Sequence, residues 1–256
     1  MYSFLNNILS DKKSGEIFTC FSPWHWFYIL ATIAVATGVI ISLKDKDQKL
    51  KNARINLFIY IAFGLYIADF FLMPFAYGEI DIEKLPFHIC TITCVLCFVS
   101  RHNRWLANYR SHIAMLAFIS NLVYLIYPAG VMWHQVHPLS YRVVQTLLFH
   151  SVMTIYGLLV FFFDEQKLEW KKCYRDVILL GGIVLWAILG NWLYNHEIGE
   201  TARVYNWFFV VRDPFYILPK AVAPYLMPFV NIVVFFAVEN LIYWIMYLLS
   251  KKGKRV

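Results

Sequence analysis

His150 stands alone among apolar neighbours in the run Thr146-Leu-Leu-Phe-His-Ser-Val-Met. Imidazole is the usual general base of enzymes. Beside a thiol or hydroxyl it activates a nucleophile for acyl transfer. A thiol is the more credible partner, because thiolate forms readily beside an imidazole. The segment Leu85-Pro86-Phe87-His88-Ile89-Cys90-Thr91 offers such a group within a few residues of a second histidine. The bland readings stand beside this one. A buried neutral imidazole can simply bond a backbone carbonyl, and a buried cysteine is usually a small hydrophobe. Cys90, Cys94 and Cys97 follow the i, i+4, i+7 spacing of one helical face, as a tight helix interface wants. Cys94-x-x-Cys97 has apolar residues between its cysteines and no second pair after it, so no zinc site, other metal or cofactor is expected.

The elements that must position these groups are set by composition. Of 256 residues, 60% are hydrophobic and 15% charged, with mean hydropathy +0.56. A soluble domain carries about a quarter charged residues, and one water-soluble core of this length cannot hide so much apolar surface. Lipid is the expected solvent. A helical span needs about 20 apolar residues, and seven runs can be drawn at roughly 23–43, 53–76, 86–100, 106–127, 139–163, 175–195 and 224–250. The fold class expected is all-α, a polytopic bundle of seven transmembrane helices forming a single integral membrane domain over 1–256. The run Pro23 to Leu43 is too long for a cleaved signal segment and stays as a span. The third run is short, with Pro86 suited to its first turn. Residues 196–223 between the last two runs read as a structured loop with a short interfacial or re-entrant segment.

Net charge +7 reads as topology rather than as nucleic-acid binding, since no basic segment interleaves with exposed aromatics. Sixteen of the 23 Lys and Arg lie in 44–54, 101–110, 167–175 and 251–255, and seven on the alternate side. The basic side is cytoplasmic by the positive-inside rule, placing the N-terminus outside and the C-terminus inside. A multi-pass protein of the cell membrane is expected. Phe4-Leu5 and Ile8-Leu9 have the spacing of a helix lying flat on the outer surface.

Polar residues inside spans are costly and mark candidate sites. At 1.5 Å of rise per residue, Asp69, Cys90, Asn121, Asn191 and Asn231 fall roughly 6–11 Å below the outer boundary and His150 at about 16 Å. One water-reachable cavity in the outer half of the bilayer explains this grouping more simply than scattered contacts. The asparagines can equally be interhelical glue. Asp69 must find a partner, for which a histidine or amide would serve.

Specific strings carry a resemblance. Leu85-Pro86-Phe87-His88-Ile89-Cys90-Thr91 looks like the Leu-Pro-Leu-His-Leu-Cys segment of the bacterial YwaF family of integral membrane proteins. Phe149-His150-Ser151 resembles that family's histidine, and Asp213-Pro214-Phe215-Tyr216 resembles the related eukaryotic transmembrane protein 164. The pieces keep their order over roughly residues 50 to 250. The eukaryotic relatives are regarded as lipid acyltransferases with a cysteine–histidine pair, and they are distantly similar to the androgen-induced transmembrane hydrolases, which use threonine and histidine. The resemblance implies that a nucleophile near the start of span three works with His150. In the eukaryotic motif the cysteine stands immediately before the histidine, where this chain has Phe87. Cys90, one turn further along, Thr91, or a route with no covalent intermediate are the three assignments it leaves.

The reading that results is an acyltransferase or hydrolase acting on a membrane lipid or lipid-linked substrate, with Cys90 and His150 catalytic. Asp69, His88, Thr91, Asn121, Asn191, Asn206 and Trp207 would line the substrate site. In it Asp69 orients an imidazole, Asn191 or Asn121 donates to the oxyanion, and Asn206-Trp207 roofs the cavity. A non-catalytic lipid or small-molecule binder or transporter is one rival, although no inverted repeat is evident. An envelope scaffold with polar residues as glue is another. No nucleic-acid partner is expected, and the sequence leaves the oligomeric state open.

Overall fold

The computed structural model describes residues 15–78, 80–166, 172–196, 205–213 and 217–253. Every regular element among them is helical. In chain order these are α1 (Pro23–Leu43), α2 (Gln48–Tyr77), α3 (Ile89–His102), α4 (Arg104–Ala107), α5 (Arg110–Ile126), α6 (Ala129–Met132), α7 (Tyr141–Phe163), α8 (Tyr174–His196) and α9 (Ala223–Gly253), with 3-10 turns at Ile82–Lys84 and Trp207–Phe209. Six segments are long and apolar enough to cross a bilayer: α1, α2, the α5–α6 stretch Arg110–Met132, α7, α8 and α9. The chain is thus an all-helical, multi-pass membrane protein. At 1.5 Å per residue α3 reaches only about 21 Å, short of the roughly 30 Å hydrocarbon core. The expected surface helix at residues 4–9 lies outside the described residues, as do 167–171 and 254–255 of the basic clusters and Pro214-Phe215-Tyr216.

Local chemistry explains where the helices begin. Ser22 caps α1 by accepting from the His25 amide, with Pro23 in the first turn. Asp47 caps α2 by accepting from the Leu50 amide at 2.7 Å, so the helix starts five residues before its apolar run. Gly78 ends it at φ +78°, where the missing Cβ removes the penalty of a left-handed residue. Pro86 does not open α3, as its sequence position suggested. The Phe87 amide turns back to the Leu85 carbonyl at 2.7 Å, the Pro86 carbonyl accepts from the Trp186 indole at 2.8 Å, and the helix starts at Ile89.

The described parts of the chain divide into two compact units. The first comprises Met1–Lys84 and Thr93–Lys167, the second Leu85–Ile92 and Leu168–Val256.

In the first unit α7 is the packed centre, lying against α1, α2 and α5. Small groups permit the contact. A Cβ on Gly157 would stand 2.6 Å from the Phe118 Cβ and 3.0 Å from the Ala114 carbonyl oxygen of α5, the close approach that small residues allow between membrane helices. Thr32 of α1 and Ser151 of α7 share a hydrogen bond at 2.7 Å. His25 has both ring nitrogens in use, Nδ1 accepting from the Phe21 amide and Nε2–H donating to the Leu125 carbonyl. It is a structural histidine. Phe18, Leu125, Val131, Val136, Val143 and Leu147 cluster beneath it. On α2, Phe63 stacks on Phe98 of α3 at 4.1 Å between centroids. Phe27, Leu30, Ile33 and Ile41 of α1 are exposed, as a lipid-facing surface requires.

In the second unit α8 and α9 pack together and both hold the Trp207–Phe209 turn. Trp207 and Phe208 are buried, whereas Leu185, Trp192, Phe229 and Val233 of the two helices are exposed.

Gly157→Leu forces side-chain bulk into the α5–α7 contact and is expected to lower stability by about 1–3 kcal/mol. Gly64→Ala, at a site with nothing within 4 Å of the added carbon, should leave it unchanged or slightly raised. Thermal unfolding of the two variants in detergent micelles reads the difference, and equal melting would refute the close contact.

Candidate functional site

The first unit builds its polar site on α7. The His150 Nδ1 lies 2.7 Å from the Thr146 carbonyl. A carbonyl can only accept, so Nδ1 carries the proton and Nε2 holds the lone pair of the neutral ring. Tyr124 of α5 stacks on the imidazole with centroids 3.9 Å apart and planes 11° apart. Gly130 makes room for that tyrosine, since a Cβ there would stand 2.9 Å from its hydroxyl. Thr146 also receives the Lys84 ammonium on its hydroxyl at 3.5 Å. Lys84 in turn pairs with Asp69 at 3.1 Å, and the other Asp69 oxygen accepts from Tyr141 at 2.9 Å. The chain Asp69–Lys84–Thr146–His150 therefore joins α2, the turn after it and α7. A second ion pair, Arg142 with Asp81 at 3.5 Å, lies beside it, and Arg142 also donates to Nε2 of His134 at 3.2 Å.

The second unit builds its site on the segment before and into α3. The Phe208 amide donates to Nδ1 of His88 at 3.2 Å, so a neutral His88 carries its proton on Nε2, the opposite tautomer to His150. Cys90 lies in the first turn of α3, the end at which a helix dipole favours a negatively charged group. Thr91 donates its hydroxyl to the His88 carbonyl at 3.0 Å. Phe87 is wedged against Trp186, at 5.1 Å between centroids, and Trp207, at 5.0 Å. The wedge needs Gly190, because a Cβ there would fall 2.4 Å from the Phe87 ring.

A clamp of amides fixes the loop over this segment. Asn191 donates to the Trp207 carbonyl at 3.0 Å and accepts from the Trp207 amide at 3.1 Å. Asn231 donates to the Phe208 carbonyl at 2.6 Å. Asn206 accepts from the Val211 and Arg212 amides, and Asp213 from those of Ile217 and Leu218. Phe208 and Phe209 adopt φ of +51° and +52°, a region uncommon for bulky residues. Tyr205 stacks on Trp207 at 4.8 Å.

Several sequence expectations change in detail. Among the described residues, the Asp69 oxygens meet Lys84 and Tyr141 rather than an imidazole. Asn191 holds the loop with both ends of its amide, and Asn121 directs its NH2 to the Ala117 carbonyl of its own helix at 2.7 Å. Both NH2 groups are thus engaged within the protein. The Asn121 oxygen has no hydrogen-bond partner among the described residues. Trp207 is a fully buried loop anchor. Lys84, Tyr124 and Tyr141 escaped the sequence reading. The signal available for Lys84 was a buried carboxylate followed, one loop later, by a lone cation.

Among the cysteines, Cys94 and Cys97 are buried, and Cys90 is half-buried, as are Cys20 and Cys173. Ahead of α1, burial pushes the Cys20 thiol up, against the opposite pull of a backbone hydrogen bond at Phe21.

The model of the TMEM164 family matches residues 20–249, and the chain belongs to that family. No curated protein and no solved structure matches.

Removing Lys84 alone leaves Asp69 buried without its counter-ion. Lys84→Ala should cost about 3–5 kcal/mol, and the double variant Lys84→Met with Asp69→Asn should recover much of it; thermal melts of both test the pair, and an additive result would count against it. Asn191→Ala orphans the Trp207 amide and carbonyl, at about 1–3 kcal/mol for each buried group. Acrylamide quenching of tryptophan fluorescence should rise as Trp207 loosens, and unchanged quenching would show that the clamp does not hold the loop.

Proposed function

Because the chain belongs to the TMEM164 family, we propose that it is a membrane-embedded acyltransferase or hydrolase of lipids or lipid-linked substrates, with Cys90 as nucleophile and His150 as base. The proposal includes seven spans, counting the short α3, in one integral domain of the cell membrane. It has the N-terminus outside, the C-terminus in the cytoplasm and a place in the bacterial YwaF branch. The distribution of Lys and Arg supports the orientation.

The observation that carries the chemistry is the tautomer of His150. The Thr146 carbonyl holds the proton on Nδ1, so Nε2 is the nitrogen able to take another. In the acylation step Nε2 removes the Cys90 thiol proton as sulfur attacks the ester carbonyl. The tetrahedral adduct collapses to a thioester, and the leaving alcohol takes the proton from His150. In the second step His150 deprotonates an acceptor alcohol or water, which attacks the thioester and returns the thiol. His88, with its proton on Nε2, is suited to donate to the oxyanion. The Asp69–Lys84–Thr146 chain keeps the His150 ring in register, and the Asn121 oxygen, one turn before Tyr124 on α5, is available to a substrate hydroxyl.

Maleimide labelling of the purified protein followed by peptide mass spectrometry tests this. Cys90 should react at least tenfold faster than Cys94 and Cys97, and His150→Ala should abolish that advantage. Lipid profiles of cells carrying Cys90→Ala and His150→Ala should show the same altered acyl species. Uniformly slow labelling, together with wild-type lipid profiles in both variants, would overturn the proposal in favour of a packed interface or scaffold.

A further inference from the structure

A second polar cluster of the first unit is untouched by this chemistry. At one end of the unit the last turn of α3 brings Arg101, the first turn of α5 brings Arg110 and Ser111, and the C-terminal cap of α7 brings Asp164. Arg101 and Arg110 both reach the same carboxylate oxygen, Oδ2 of Asp164, at 3.0 and 3.6 Å. Among the described residues, two guanidinium groups thus share one carboxylate, leaving one positive charge over.

The pairing is also poorly directed. Although Oδ2 is within contact distance, no hydrogen bond is aimed at it. Nε and Nη2 of Arg101, Nε of Arg110 and Oγ of Ser111 have no hydrogen-bond partner among the described residues, and all are shielded from solvent. The Arg101 side chain is 6% exposed. Buried donors are ordinarily satisfied, and guanidinium donors form a rigid fork matched to tetrahedral and planar oxyanions. The start of the 17-residue helix α5 adds to this, because its N-cap residue Tyr109 makes no side-chain cap bond, and a helix start carries positive partial charge that favours an anion. Arg110, about a quarter exposed, marks the side from which a ligand enters.

We propose that Arg101, Arg110, Ser111 and the start of α5 form a phosphate-binding site, taking the phosphate of a phospholipid headgroup or a free phosphate. The Asp164 carboxylate lies between the two arginines and keeps them close to one another. The ligand supplies the acceptors that Asp164 does not, and its negative charge balances the excess guanidinium. The site is independent of Cys90 and His150.

The test uses the full chain in an uncharged maltoside detergent, at constant ionic strength with chloride as the reference anion. One arm titrates inorganic phosphate and follows thermal unfolding; the other titrates a short-chain phosphatidic acid against the diacylglycerol of the same chains. Stabilisation by both phosphate compounds, or by the phospholipid alone with no response to diacylglycerol, supports the site. The two results distinguish a free from a lipid-borne phosphate. Arg110→Gln, on the exposed side, should weaken the effect at least tenfold in midpoint concentration, and Ser111→Ala should weaken it less. Should loss of Arg101 prevent folding, the neutral double variant Arg101→Gln with Asp164→Asn supplies the reading and should show no phosphate effect. Equal response to phosphate and chloride, or a full response in Arg110→Gln, would overturn the proposal.

Discussion

A polar group that cannot reach water must be answered by another part of the chain, and in the first unit α7 concentrates that demand. Among its buried side chains are Arg142, Gln145, Thr146, His150, Ser151 and Thr154. Each has its answer in a neighbouring turn or a neighbouring helix. Ser151 meets Thr32 of α1, Thr154 turns back on the His150 carbonyl, and Arg142 meets Asp81. Because an unmade hydrogen bond in low dielectric is so costly, these pairings fix the rotation of α7 about its own axis. Once that rotation is set, the orientation of His150 follows.

Thr146 is the junction of this arrangement. Its carbonyl takes the His150 proton and its hydroxyl takes the Lys84 ammonium, so an ion pair anchored on α2 is linked to the ring by one residue. In the second unit the corresponding work is done by amides. Asn191 and Asn231 meet backbone groups of the 207–208 turn, and that turn donates to His88. Two histidines thus have opposite ring protons placed by bonds to backbone groups, at Thr146 for His150 and Phe208 for His88.

Helices were the legible part of the fold. Apolar runs of about twenty residues leave few alternatives once lipid is the solvent, and the helices follow the runs to within a few residues, except where a polar cap such as Asp47 extends one into its loop. Pro86 misled because its ring suits a helix start, yet its carbonyl is claimed by Trp186, which lies a hundred residues away in sequence. The candidate site was legible as a set of residue types and much less so as a set of partnerships. Asn191 has the composition of an oxyanion donor, but which group receives its NH2 depends on a loop whose path no local pattern encodes. Asp69 announced the need for a partner without saying that Lys84 would supply it. The surplus of guanidinium at Arg101 and Arg110 was read as topology, since a charge count does not reveal that one carboxylate is shared between two cations.

The left-handed backbone at Phe208 and Phe209 carries a consequence for how this loop tolerates change. Each phenylalanine there sits in a conformation that costs of order 1–3 kcal/mol unless its surroundings enforce it. Glycine would remove that penalty, and with it the need for enforcement. Glycine at 208 or 209 would therefore make loss of either asparagine less costly, while the Trp207 and Phe208 backbone groups that the two amides bond would still need other partners.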